Sequence, residues 1–163
     1  MQKIVPCLWF DKKAEEAANF YVSVFKNSKV INITRYGKSA SQASGQKEGS
    51  VMTVSFEIEK QEFLALNAGS NVSFTPAISL MVNCKTQKEI DELWEKLSAD
   101  KQFEQCGWLT DKFGVTWQIN PASINEMLKD KDMKKIDRMM AVLVQMKKLD
   151  IKRLEEAYNG KDK

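Results

Sequence analysis

The chain has 163 residues, 43% of them hydrophobic and 29% charged, with a formal net charge of +3. That suffices for one packed domain, or one domain with an appendage, while so small a positive charge, with lysines spread along the chain, does not indicate a nucleic-acid partner. Histidine is absent, which excludes Ser-His-Asp and Cys-His nucleophile systems, histidine-ligated metal sites and imidazole acid–base chemistry.

Lys3 to Phe10 reads as a first strand, and Asp11 is a suitable N-cap for the helix that follows. Ala14, Ala17, Ala18, Tyr21, Val24 and Phe25 recur at helical spacing, which predicts an amphipathic helix over 12–25. Val30, Ile31, Ile33 and Tyr36 mark a second strand, and the small polar residues from Lys38 to Gly49 read as a mobile loop. Ser50 to Ile58 is a third strand with Met52, Val54 and Phe56 on one face. Glu59-Lys60 is a hairpin turn, and Gln61 to Asn67 is a fourth strand ended by Ala68-Gly69-Ser70-Asn71.

The pattern then restarts. Ala77 to Cys84 is a strand, Thr86-Gln87-Lys88-Glu89 is a capping box, and Ile90, Leu93, Trp94 and Leu97 form the helical stripe behind it. From Cys106 to Pro121 two short strands flank a turn framed by Asp111 and Gly114. On the second of them Val115, Trp117 and Ile119 alternate with Thr116 and Gln118, and Pro121 ends the strand. The helix starts at Lys12 and Thr86 lie about 74 residues apart, as expected of an internal duplication whose second copy is shorter. Ser123-Ile124-Asn125-Glu126 reads as another capping box. It opens a helical C-terminus with stripes at Ile136, Met139, Met140 and Leu143, then at Ile151, Leu154 and Tyr158, with Asp150 capping the last helix.

The three cysteines, Cys7, Cys84 and Cys106, are odd in number and far apart, which fits reduced thiols in a cytoplasmic protein. No apolar run approaches the roughly 20 residues of a membrane span. The apolar stretch Ile4 to Phe10 meets Asp11-Lys12-Lys13 with no cleavage site, so it does not read as a signal peptide.

Several stretches together resemble a known family: Pro6-Cys7-Leu8-Trp9-Phe10-Asp11 leading to Phe20-Tyr21, Phe63 to Gly69, Ile78-Ser79-Leu80, Cys106-Gly107-Trp108-Leu109, Asp111 to Gly114 with Trp117-Gln118, and Met146 to Ile151. With the duplicated strand–helix–strands unit, they resemble the PhnB-like branch of the vicinal-oxygen-chelate superfamily, often labelled 3-demethylubiquinone-9 3-methyltransferase-like. Ala68-Gly69 stands where that branch usually has a glycine pair. The resemblance implies an α+β glyoxalase/bleomycin-resistance fold. Two paired βαβββ-type units, about 1–70 and 76–121, would form a domain over 1–121, with a helical extension over 122–163.

It also implies four metal-ligand positions, which match near Pro6, Ala65, Ala77 and Gln118. Proline and alanine side chains cannot ligate a metal, and one glutamine amide is a weak ligand. A methyl-transfer cofactor in a Rossmann-type site needs a G-x-G turn, and the seven glycines contain none. Neither a metal nor another cofactor is therefore expected.

Period-two counting from the matched positions puts Leu8, Phe63, Asn67, Ser79, Met81, Thr116 and Gln118 on a cavity wall, joined by Cys106 and Trp108. A mostly apolar wall with a few amides and hydroxyls suits a small organic ligand, and Gln118 offers both donor and acceptor. The alternatives are an ordinary packed interior, a metal-independent enzyme of lyase, isomerase or transferase type acting in the same cavity, or an interaction protein working through its tail. For the enzyme the candidate groups are Cys106 as nucleophile and Glu57 or Glu59 as base. The apolar tail stripes and open sheet edges also lead to the expectation of a homodimer.

Overall fold

The structure, a computed structural model, describes residues 2–69 and 72–161. The chain divides into two compact units, Met1–Ser73 and Phe74–Lys163.

In the first unit, β1 (Cys7–Phe10), β2 (Lys29–Arg35), β3 (Val51–Ile58) and β4 (Gln61–Asn67) form one sheet in the order β1-β4-β3-β2. β1 runs parallel to β4, and β3 pairs antiparallel with both β4 and β2. The β3–β4 turn is tight because Glu59 and Lys60 both take positive φ, 47° and 71°, the geometry a two-residue hairpin loop requires. Helix α1 (Ala14–Val24) lays Ala14, Ala17, Ala18, Tyr21 and Val24 on one face of this sheet. Tyr21 stacks on Phe56 at 6.0 Å between ring centroids, and Phe56 on Phe63 at 5.4 Å.

The start of α1 differs from the sequence expectation. The N-cap position is Lys13 and no side chain near it caps the helix. Instead Asn67 reaches across from the end of β4: its Oδ1 accepts from Ala14 N at 2.8 Å while its Nδ2 donates to Val51 O at 3.1 Å. A long-range cap thus replaces the local one expected from Asp11. The expected mobile loop also contains a helix, α2 (Lys38–Ser44), with no buried residue. It begins after Gly37 and ends at Gly45 in the left-handed conformation. Apolar periodicity is the signal that predicts helices, and a helix that buries nothing lacks it. β1 is shorter than expected, starting at Cys7 rather than Lys3. Ser70 and Asn71 of the expected turn lie outside the described residues.

In the second unit, β5 (Leu80–Cys84), β6 (Trp108–Thr110) and β7 (Thr116–Pro121) form a sheet in the order β5-β7-β6. β5 is parallel to β7 and β6 antiparallel to it, repeating the β1-β4-β3 pattern. A 3₁₀ turn at Lys101–Phe103 stands where the first unit has β2, which makes this copy shorter. Helix α3 (Gln87–Leu97) buries Ile90, Leu93, Trp94 and Leu97. The sheet face turned to it carries Leu109, Trp117, Ile119 and Cys84, all buried. The Thr86 cap forms, its Oγ1 accepting from Glu89 N at 3.2 Å, while Glu89 Oε2 accepts from Lys85 N, one residue before the N-cap, at 2.8 Å.

The helical tail, α4 (Ala122–Met127), α5 (Met133–Leu143) and α6 (Ile151–Tyr158), packs around Ile124, Met139, Met146, Leu149 and Leu154. The cap of α6 is the expected one, Asp150 Oδ1 accepting from Arg153 N at 3.0 Å. The box expected at Ser123 does not form, because α4 begins directly after Pro121 with no side-chain cap. The tail is tied to its unit by main-chain bonds. Cys106 N donates to Met146 O and Gly107 N to Lys147 O, each at 2.8 Å. Gln87 bonds Leu149 O at 3.1 Å through Nε2 and Ile151 N at 2.9 Å through Oε1.

Candidate functional site

Each sheet has one face under its helix and one turned away from it, and cross-strand register decides which residue lies where. In the first unit Leu8 pairs with Ala65, Phe10 with Asn67, Val54 with Ala65 and Phe56 with Phe63. All of these are buried on the α1 side. Leu8, Phe63 and Asn67, expected on a cavity wall, therefore belong to the helix–sheet core. Ala65, one of the positions matched to a metal ligand, is 0% exposed there. The sequence signal that decides the face is the hairpin. A two-residue loop at Glu59-Lys60 forces Phe63 opposite Phe56 and Ala65 opposite Val54, the strongly apolar face of β3.

The face away from α1 carries a different set. One row across the sheet is Trp9, Leu66, Thr53 and Thr34, and the next is Cys7, Leu64, Ser55 and Asn32. The Thr34 and Thr53 hydroxyls are 2.6 Å apart and hydrogen-bonded. Trp9 is 40% exposed and its indole Nε1 donates to Gly69 O at 3.0 Å, which fixes the ring. Glu57 and Glu62 face one another at the end of this surface, with Lys29 3.9 Å from Glu57.

In the second unit Met81, Trp108, Thr116 and Gln118 lie on the face away from α3. Met81 and Trp108 both pair with Gln118, and Thr110 pairs with Thr116. Met81 is 53% exposed, Trp108 and Gln118 are half-buried, and Thr116 is buried. Gln118 Nε2 donates to Ser79 Oγ at 2.8 Å. Cys106 lies apart from this row. It holds a positive φ of 52°, and its Sγ contacts Val144 O of the tail at 3.5 Å. Its neighbour Gly107, at φ +84°, has no room for a side chain: a Cβ would sit 2.9 Å from Asn120 Oδ1 and 3.0 Å from Leu149 Cδ1. The close approach that requires glycine here is to the chain's own atoms.

Asp111 builds the turn beside this face. It is 3% exposed, and its carboxylate accepts from Trp117 Nε1 at 2.8 Å, Phe113 N at 2.8 Å and Val115 N at 3.0 Å. Cys84 is a core thiol: burial, and secondarily the charge of Glu89, pushes it up to about 12, so it stays protonated at neutral pH. Among the described residues no group of three or more His, Cys, Asp or Glu side chains is placed to hold a metal ion. The donor set therefore does not fit the metal that the superfamily implies.

Two parallel/antiparallel sheet units of this kind define an α+β protein of the glyoxalase/bleomycin-resistance fold. The family model described as 3-demethylubiquinone-9 3-methyltransferase matches residues 2–120, and the chain belongs to that family, the PhnB-like branch of the superfamily. Among solved structures, the chain is similar to the PhnB protein from Bacillus cereus, with 39% identity and a TM-score of 0.62, over 74% of this chain and 100% of that one. It is also similar in fold to protein PA1353 from Pseudomonas aeruginosa, with 20% identity and a TM-score of 0.55, over 74% of this chain and 98% of that one. No curated protein matches the chain. Among the described residues no helix is long and apolar enough to cross a membrane.

Proposed function

We propose that the protein binds a small organic ligand without a metal ion, on the face of the second sheet turned away from α3. Membership of a small-molecule-binding fold family supports the general reading. The observation that carries the finer one is the chemistry of the second face: Gln118, at a position matched to a metal ligand, is hydrogen-bonded to Ser79 and flanked by Met81 and Trp108. Amide, hydroxyl and soft apolar groups recognise organic molecules; they are poor ligands for divalent metals. In the first unit the face turned away from α1 carries Trp9, Leu64, Leu66, Ser55 and the Thr34–Thr53 pair, and not Leu8, Phe63 and Asn67.

The thiol of Cys106, the candidate nucleophile of the enzyme reading, contacts a tail carbonyl, which favours the binding reading. The free thiols of Cys7, Cys84 and Cys106 fit a reducing, cytoplasmic setting. Exposed Ile31 and Ile33 on the edge strand β2, at 50% and 36%, support assembly as a homodimer.

The test is metabolite capture on the purified protein followed by mass spectrometry, with and without EDTA. The reading expects one organic molecule retained equally in both. Retention abolished by EDTA would overturn it, as would an empty protein under both conditions.

A further inference from the structure

The row Met81–Gln118–Trp108 crosses the three strands of the second sheet in register. Neighbouring strands lie about 4.8 Å apart, so the row spans roughly 9–10 Å, the length of a fused bicyclic ring. Its centre is polar and its ends are apolar. Gln118 Nε2 spends one hydrogen on Ser79 Oγ. Among the described residues neither side chain has another hydrogen bond, which leaves Gln118 Oε1 as an acceptor, with the second Nε2 hydrogen and the Ser79 hydroxyl hydrogen as donors. Trp108 supplies a flat indole at one end. The Met81 thioether, 53% exposed, supplies a polarisable group suited to an aromatic edge at the other.

Among the described strand residues no charged side chain shares this face: those pointing the same way are Asn83, Thr110, Thr116 and Asn120. An ionised ligand would lose hydration here without gaining a counter-charge. A ligand with a donor and an acceptor on one edge would satisfy the Gln118–Ser79 pair, whereas one with neither would leave it unbonded.

We infer that this row is a binding site for an uncharged, planar molecule carrying a lactam or secondary-amide edge. The Gln118–Ser79 pair reads the amide while Trp108 and Met81 hold the ring. This deepens the ligand-binding reading above and rests on it.

Three probes of one shape separate the contributions: 2-quinolinone, its N-methyl derivative, which keeps the ring and carbonyl but lacks the donor, and quinoline-2-carboxylate, which is charged. Isothermal titration of the wild-type protein is expected to show 2-quinolinone bound about fivefold to tenfold more tightly than the N-methyl compound, the ratio for one net hydrogen bond. The carboxylate should be weaker than both. Gln118→Ala should bring the ratio to near one without changing the circular-dichroism spectrum, and Trp108→Ala should weaken both neutral probes alike. Equal affinity of the two neutral probes for the wild type would overturn the inference. So would a ratio that survives in Gln118→Ala, the carboxylate binding tightest, or no binding of any probe at millimolar concentration. The wild-type comparison needs no variant to fold. The metal-free reading is judged separately by retained ligand and EDTA response, so either can fail alone.

Discussion

Replacing Asn67 with alanine separates a structural role from a ligand-binding one. The side chain is 6% exposed and bridges two otherwise distant main-chain groups, the Ala14 N–H at 2.8 Å and the Val51 carbonyl at 3.1 Å. Removing it takes away the side-chain cap at the start of α1, a loss of about 0.5–2 kcal/mol. It also strands a buried carbonyl, which costs about 1–3 kcal/mol. The sum is about 1.5–5 kcal/mol, and with a urea slope of about 2 kcal/mol/M the midpoint should fall by about 0.8–2.5 M. The assay is urea unfolding followed by circular dichroism, paired with probe titration under native conditions. The account predicts the stability loss with the 2-quinolinone affinity of the folded fraction unchanged. A midpoint shift below about 0.3 M with lost probe binding would place Asn67 at the ligand and refute the reasoning from register.

Gly107→Ala should destabilise the tail junction by at least the ~1–3 kcal/mol of a residue forced into the left-handed region, since its Cβ meets Asn120, Leu149 and the Ile119 carbonyl within 3.2 Å. Gly37→Ala, with nothing within 4 Å, should be near neutral, and thermal unfolding of both variants checks the contrast. The Asp130 carboxyl is held down to about 2 by the Tyr158 hydroxyl, then by the Asp132 N–H and the Lys135 ammonium. A depressed carboxyl stabilises the fold above its ordinary value of 3.8 and loses that contribution as pH falls toward 2. Tyr158→Phe should move the Asp130 titration up toward 3.8 in a carboxyl NMR experiment, and an unmoved titration would contradict the assignment. Sedimentation at micromolar concentration should show a species of twice 18.6 kDa, and monomer alone would refute the homodimer.

Where one physical signal dominated, the sequence was enough to locate the element. The strand Gln61–Asn67, the Thr86 cap, the Asp150 cap and the strand end at Pro121 rest on local chemistry, and each stands where that chemistry puts it. Long-range effects were not legible. Asn67 capping α1 is a contact across 53 positions, and nothing near Ala14 announces it. The faces of the two sheets, on which the candidate site depends, are half legible for a related reason. β7 alternates apolar and polar residues, so its faces declare themselves, whereas β4 reads Phe-Leu-Ala-Leu-Asn and is apolar on both. Period two then leaves the choice of face open: a count started from the matched metal positions places Leu8, Phe63 and Asn67 on the outward face, whereas they are buried on the α1 side. Hairpin register fixes the choice, because Phe63 must follow Phe56 and Ala65 must follow Val54 into the core. The exposed helix α2 was invisible for the opposite reason, having no buried face to pattern.

We propose that this glyoxalase-type fold works without a metal and offers a surface to an organic ligand. Elemental analysis of protein purified without chelator tests it most directly, alongside thermal unfolding with and without EDTA. The expected result is well below one equivalent of Zn, Ni, Mn or Fe per chain, and a midpoint that EDTA leaves unchanged. Stoichiometric metal, or a midpoint that falls when EDTA is added, would contradict it.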